Sequence, residues 1–302
     1  MLTKDELKQL SQTSALQTSL SLFLDWLGIA ALFALLIYFP NPLTYIFCFI
    51  LLGRQQLALA IMMHDGAHGR LYKNPKVNDY IGQLFTASAV FFSQDSYRKF
   101  HLKHHQSPLV ADDPDISLIG GYPIPAKSFR RKLMRDLFGV SYFKFIGYFF
   151  YKPRKKVSTP KPTPGASSKR LPLWYQVFTV LLINGSMLGI LWGLGHASLY
   201  FIFWILPMMS ILQFLLRIRG IAEHAGYEAN ANQMLCSRTI TNPLQTFFFA
   251  PHQVNYHMEH HQYPSVPYFR LPEVHRLMKQ RQSLPEKNLY TSYGQIVREL
   301  IK

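Results

Sequence analysis

His257-Met258-Glu259-His260-His261 decides how this chain is read, because two near-copies of its histidine pattern stand upstream: His64-Asp65-Gly66-Ala67-His68 and His101-Leu102-Lys103-His104-His105. Residues three and four apart share a helix face, so HxxxH and HxxHH each present two or three imidazoles to one point. Neutral imidazole is the commonest side-chain metal ligand. Eight of the chain's twelve histidines lie in these boxes. Eight nitrogens exceed one tetrahedral shell and suffice for two metal ions, so the spacing predicts a two-metal site.

Outward from the boxes, the chain is 49% apolar and 15% aromatic, rich for a soluble protein. The apolar residues are concentrated in four runs, at about 20–39, 43–63, 173–194 and 199–216. At 1.5 Å per residue each matches a hydrocarbon core about 30 Å thick. Only Pro40-Asn41-Pro42 and Gly195-His196-Ala197-Ser198 separate the members of each pair. Bends this short join antiparallel neighbours. The predicted fold is an all-α integral membrane protein, one domain over 1–302. Its four transmembrane helices form two hairpins, and a cytoplasmic helical cap (64–172 and 217–302) carries the boxes.

Charge fixes the expected orientation. Of the 32 Lys and Arg, two precede the first run, nineteen lie between His64 and Pro172, ten follow Leu216 and one, Arg54, lies inside a run. By the positive-inside rule both termini and the central segment are cytoplasmic. The net charge of +16 then serves anionic lipid and acidic partners rather than nucleic acid. All three boxes fall on one side of the bilayer and are free to meet. Cys48, within a run, and Cys236, beyond the last one, offer no disulfide framework. The first apolar run is too long for a cleavable signal peptide.

Several further stretches carry expectations. Met1–Ser19 reads as a short interfacial helix, and Tyr80–Phe92 as an interfacial or re-entrant one, being too short to span. Arg54, Gln55 and Gln56 should turn toward the bundle, since lipid would penalise them. Ligating histidines usually give their second ring N–H to a carboxylate or carbonyl. Asp65, Glu223, Glu259 and Asp112-Asp113-Pro114-Asp115 are candidates for that role. Lys127–Lys144 and Leu137–Tyr151 read as amphipathic segments at headgroup level, and 152–170 as a Pro-rich flexible linker. Pro207 should distort the fourth run. Just past it, His224 emerges near the boxes as a ninth nitrogen, whereas His252, His275 and His196 are weaker candidates. Arg217 and Arg219 are candidates for binding an acidic headgroup, and Phe247–Phe249 for lining an apolar channel.

Boxes of this form, one after the second run and one after the fourth, resemble the membrane fatty acid desaturase and hydroxylase superfamily over about Leu20–Leu277. The surroundings of the third, Asn255-Tyr256-His257-Met258-Glu259-His260-His261-Gln262-Tyr263-Pro264, are similar to the N-x-H-x-E-H-H-x-x-P form of acyl-lipid and bacterial desaturases. The resemblance implies that His64, His68, His101, His104, His105, His257, His260 and His261 bind two non-haem irons, with His224 as the family's additional ligand and Asn255 beside them. It departs from the acyl-CoA desaturases of the animal type, which have HxxxxH in the first box and asparagine where Gly220 stands. It also departs from front-end desaturases, whose third box opens with glutamine.

What the resemblance implies chemically is O2-dependent insertion of a double bond into a lipid or fatty acyl chain. A separate electron donor of ferredoxin or cytochrome b5 type is implied as well. Two alternatives stand beside it. A hydroxylase or ketolase would use the same boxes, and a histidine-lined metal transporter would need ligands at mid-membrane.

Overall fold

A computed structural model describes residues 1–151, 170–230 and 232–302. The linker expected at 152–170 lies outside the described residues except for Arg170. The chain is mostly helical. Helices α1 (Lys4–Leu10), α2 (Ala15–Tyr38), α3 (Pro42–Ala67), α4 (Pro75–Gly82) and α5 (Gln94–Gln106) carry the first two boxes. Short α6 (Ile116–Ile119), α7 (Ala126–Leu137) and α8 (Val140–Tyr151) follow. Next come α9 (Leu173–Gly193) and α10 (Ala197–His224), then α11 (Pro243–Phe249), α12 (His257–Gln262), α13 (Leu271–Gln280) and α14 (Tyr293–Leu300). One feature amends the all-α expectation: Thr239–Ile240 (β1) and Leu289–Tyr290 (β2) pair as a two-stranded parallel sheet.

Helices α2, α3, α9 and α10 are long and apolar enough to cross a membrane. Local chemistry sets their ends. Asn41 accepts the Thr44 N–H at 3.1 Å, with Pro42 in the first turn of α3, an N-terminal cap. Gly195, at φ 81°, ends α9. There the His196 N–H reaches Leu191 O at 2.7 Å and the Gly195 N–H reaches Trp192 O at 2.8 Å, the glycine-dependent C-terminal motif.

Three of the four outrun the apolar runs that predict them: α2 begins at Ala15 rather than Leu20, and two run on at their C-terminal ends. Helix α3 continues through Ala67 rather than stopping at Met63, and α10 through His224 rather than Leu216. At 1.5 Å per residue they are about 39 and 42 Å long, against a hydrocarbon core of about 30 Å. Their last turns lie beyond the apolar runs, carrying His64 on α3 and Glu223 and His224 on α10.

Helix α3 is the central strut. Of its apolar window 61% is buried, against 17% for α9, which turns Leu173, Trp174, Leu181 and Trp192 outward. The polar triplet of α3 points inward as expected. Gln56 Nε2 donates to Trp204 O at 2.6 Å, Gln55 Nε2 to Asp25 O at 3.0 Å and Arg54 Nε to Phe247 O at 3.0 Å. These are links between segments, and none reaches the histidines. The irregularity expected at Pro207 takes the form of a π turn at Phe201–Ile205 and a break at Ser210 (φ −123°, ψ −78°). Gln56 thus satisfies a carbonyl within the widened turn.

Beyond α4 the chain runs through a π turn (Gln83–Ala87) and a 3-10 turn (Ser88–Val90). Its tip enters the bundle: Asn184 Nδ2, midway along α9, donates to Ser88 O at 2.9 Å, and Trp204 Nε1 donates to Ala89 O at 3.2 Å.

Gly53 permits a close approach of α3 and α10. A Cβ there would stand 2.5 Å from Ile211 Cγ2, so Gly53→Val forces the helices apart at about 1–3 kcal/mol. In detergent, the thermal midpoint of Gly53→Val should fall by several degrees. Gly185→Val, whose added Cβ meets nothing within 4 Å, should melt with the parent.

Candidate metal centre

Nine buried histidines converge where α3, α5, α10 and α12 meet. They form two groups. His64, His68, His101, His105 and His260 make one, and His104, His224, His257 and His261 the other; within each, the ligand atoms lie within 4.8 Å of one another.

The grouping follows from helical pitch and refines the expectation that HxxHH aims at one point. Positions i and i+4 differ by about 40° around a helix, whereas i+3 falls on the other side of i. His101 and His105 therefore share the first group while His104 turns to the second. His257 and His261 share the second while His260 turns to the first. Each HxxHH box gives two nitrogens to one group and one to the other, in opposite senses.

Nitrogen spacing tests whether the groups fit metal ions. In the first, Nε2 atoms approach at 2.8 Å (His68 and His101), 3.0 Å (His101 and His105) and 3.1 Å (His105 and His260). In the second they approach at 3.2 Å (His104 and His224), 2.8 Å (His224 and His257) and 3.1 Å (His257 and His261). Two imidazoles on one ion at about 2.0–2.1 Å have nitrogens about 2.9–3.4 Å apart, depending on the coordination angle.

Tautomers sharpen the test. His104 Nδ1 stands 3.0 Å from both Asp113 carboxylate oxygens, and His224 Nδ1 stands 2.8 Å from Cys236 O. Both partners are acceptors, so each ring holds its proton on Nδ1 and leaves Nε2 bare. Two neutral rings of this form 3.2 Å apart repel unless a metal ion, or a second proton on His104, lies between them. His64 repeats the arrangement: Nδ1 faces Asp65 Oδ1 at 3.3 Å, and buried Nε2 has no hydrogen-bond partner. The donor set fits a pair of ions that accept nitrogen ligands.

Burial first, and then the neighbouring imidazoles, push the proton affinities of His101, His105, His257, His260 and His261 well below the ordinary histidine range. Their nitrogens are neutral and available at physiological pH. Burial lowers His104 too, but the Asp113 hydrogen bond and the charges of Asp115 and Asp113 more than offset it, holding this ring above its usual value.

The expected carboxylate partners divide. Asp65 serves two groups, facing His64 and accepting the Tyr268 N–H at 2.9 Å. Asp113 alone of the acidic cluster is buried against a box histidine. Asp112 pairs loosely with Lys103 at 3.7 Å, and Asp115 lies 3.7 Å from His104 with its side chain largely exposed. Glu223 approaches His257 Nε2 at 3.6 Å. Glu259 does not touch a box histidine; it takes the hydroxyl of Thr239 and faces His275 Nδ1 at 2.5 Å. Asn255 likewise lies off the rings, donating to Ile240 O at 3.0 Å, and so pins the start of α12 to β1.

Other placements correct the sequence reading. Arg217 and Arg219 are not free for a headgroup: Arg217 forms a bidentate pair with buried Asp136, and Arg219 Nε donates to Glu223 Oε1 at 2.6 Å. Sequence reading misses Asp136 as a partner; its signal is a lone acid within a basic amphipathic helix. His252 and His196 lie outside both groups, and His252 instead meets Asp25 Oδ2 at 2.7 Å. Phe248 and Phe249, with Ile50, Ile211, Phe214 and Leu244, line an apolar groove of about 400 Å³. Phe247 instead lies under Arg54, 4.6 Å from ring centroid to guanidinium. Tyr97, also missed, stacks on His101 with ring centroids 5.4 Å apart.

The stretch that carries all nine histidines is also the stretch matched in known proteins. The family model described as fatty acid desaturase matches residues 40–294. Dihydrorhizobitoxine desaturase of Bradyrhizobium elkanii is 26% identical over 241 residues, covering 76% of this chain and 66% of that protein. A beta-carotene ketolase of a Paracoccus species is 27% identical over 239 residues, 78% of this chain and 80% of that protein. Sphingolipid delta(4)-desaturase DES1 of Drosophila melanogaster is 26% identical over 263 residues, 84% and 71% respectively.

Two groups of ligands should bind two ions. Elemental analysis of the purified chain supplied with Fe(II) should give about two irons per chain, and His101→Ala or His257→Ala about one or fewer. Asp113→Asn, which removes the carboxylate behind His104, should weaken metal affinity about 10–100-fold. Parent protein holding less than one ion would defeat the two-ion reading.

Proposed function

The chain belongs to the fatty acid desaturase family, and on that premise we propose that it is a membrane oxidoreductase inserting a carbon–carbon double bond into a lipid or fatty acyl chain. The convergence of nine imidazoles into two adjacent groups at one end of four apolar helices carries this reading. Zinc has no redox chemistry, and one structural ion would leave the second group without a purpose. A pair of non-haem irons, when bound, would supply the redox chemistry that couples O2 to attack on an unactivated C–H bond. The overall reaction removes two hydrogens from adjacent carbons and reduces O2 to two waters, with two electrons and two protons from outside.

The chain's own residues do the remaining work. His64, His68, His101, His105 and His260 would hold one iron, and His104, His224, His257 and His261 the other. Asp113, Asp65 and the Cys236 carbonyl keep Nδ1 protonated and Nε2 turned inward. Arg219 holds Glu223 against His257. The apolar groove beside Phe248 and Phe249 suits an alkyl chain, and burial of the histidines keeps bulk water from the reacting carbon.

The orientation belongs to the same proposal: two hairpins, with both termini, the cap and the centre on the cytoplasmic side, as the distribution of Lys and Arg favours. Exposed Lys127, Arg130 and Arg131 on α7 then face anionic lipid and an acidic electron donor of ferredoxin or cytochrome b5 type. A second reading has its own support in the similarity to beta-carotene ketolases. Delivery of oxygen to the substrate radical, in place of loss of a second hydrogen, would give a hydroxylase or ketolase. The transporter reading is not supported by ligands gathered at one end of the helices.

Expression in a host lacking related activity, followed by mass spectrometry of its lipids, tests the reading. Species lighter by two hydrogens, absent with His260→Ala, are the expected result. Species gaining oxygen would move the assignment to the second reading, and an unchanged lipid profile would reject both.

A further inference from the structure

A second feature lies away from the histidines. A cleft of about 390 Å³ opens between the first turns of α2 and the loops on either side of α12, bounded by Gln17, Ser21, His252, Gln253, Tyr268 and Phe269. Gln17 and Ser21 lie at the end of α2 nearest the metal centre, just before Phe23, Leu24 and Leu27 expose half or more of their surface. That is headgroup level in the proposed orientation. We propose that this cleft binds the uncharged, hydroxyl- or amide-bearing headgroup of the lipid substrate.

Three observations carry the assignment. The first is an ionisable pair within the apolar run of α2. Asp25 is 6% exposed and meets His252 Nε2 at 2.7 Å, while its backbone carbonyl accepts from Gln55 Nε2 at 3.0 Å. Ionisable groups within an apolar run are uncommon and mark candidate functional sites.

The second is backbone strain. His252 and Gln253 have φ 54° and 61°, the one adjacent pair of non-glycine residues with positive φ among the described residues. Side chains rarely adopt that region, and it persists where surrounding structure enforces it. Here the enforcement is visible: Asp25 holds the His252 ring, which packs edge-on against Tyr268 with centroids 5.3 Å apart. The consequence is that the Gln253 carboxamide stands exposed at the cleft.

The third is the chemistry of the wall. Tyr268 Oη lies 2.6 Å from Ser21 Oγ and 3.4 Å from Gln17 O. The polar side chains lining the cleft are amides, hydroxyls and an imidazole, and the Asp25 carboxylate behind them is engaged by His252. A charged headgroup would find no counter-ion here, whereas hydroxyl and amide groups find both donors and acceptors. Tyr268 also donates its N–H to Asp65, the partner of His64. Tyr268 is thereby two hydrogen bonds from the first histidine group, so a headgroup held beside it is anchored close to that group.

This inference rests on the desaturase reading for its substrate but is tested by binding alone. Retention of 1-palmitoylglycerol (hydroxyl), N-palmitoylethanolamine (amide) and palmitoyl lysophosphatidic acid (anionic) by the purified full chain in micelles is measured by native mass spectrometry. At least one neutral probe should be retained about ten-fold over the anionic one. Gln253→Gly, which also relieves the backbone, and Gln17→Leu on α2 should each weaken neutral retention about three- to ten-fold, the worth of a lost hydrogen bond. Equal retention of the anionic probe, or indifference to both substitutions, would overturn the proposal. New unsaturation in lipids with no effect of these variants would refute the cleft alone. Neutral binding that depends on Gln253, without new unsaturation or oxygen, would refute the reaction alone.

Discussion

The structure is arranged around a repulsion. Imidazole nitrogens crowd one another at hydrogen-bond distance in two adjacent groups, held by helices that meet from distant parts of the sequence. Left to themselves, such crowded nitrogens would favour opening the site or taking up protons, and burial opposes the protons, prevailing at every ring but His104, where Asp113 and Asp115 favour one. A cation in each group turns the same geometry from a cost into a source of stability, since binding that requires the folded state adds to folding.

What resists the repulsion is the stiffness of the scaffold. Helix α3 is packed on several sides and runs unbroken from Asn41 to the first box. Helix α10 carries the ninth histidine at the end of a span distorted only around Pro207. His64 and His224 therefore sit at the ends of long apolar helices and six others on α5 and α12, with His68 just past the end of α3, and carboxylates and a carbonyl fix the rings of His64, His104 and His224. Arg217 and Arg219 belong to this scaffold. Their pairs with Asp136 and Glu223 tie α7 to α10 and hold a carboxylate beside the second group.

Much of this was legible in the chain itself, because spacing and hydropathy are local. Apolar length marked the four long helices, and the i, i+3, i+4 intervals marked the histidines. Span ends were misjudged because hydropathy falls where a helix leaves lipid, whereas the helix continues while its backbone bonds are satisfied. The partition of each HxxHH box was implicit in helical pitch, but which half goes to which group depends on how α5 and α12 face each other. Tertiary partners were least readable: nothing local separates Asp113 from Asp112 and Asp115, or shows that Glu259 turns to Thr239 and His275. The same applies to Asn255, whose amide secures a strand, and to the arginines, whose acids lie far away or one helical turn on.

The crossing of the two boxes has a consequence for biogenesis. The first group draws on residues from His64 to His260 and the second on residues from His104 to His261, so neither pocket can close until translation has passed almost the whole chain. The complete set of nitrogens for either group thus exists only after the fourth long helix has been made.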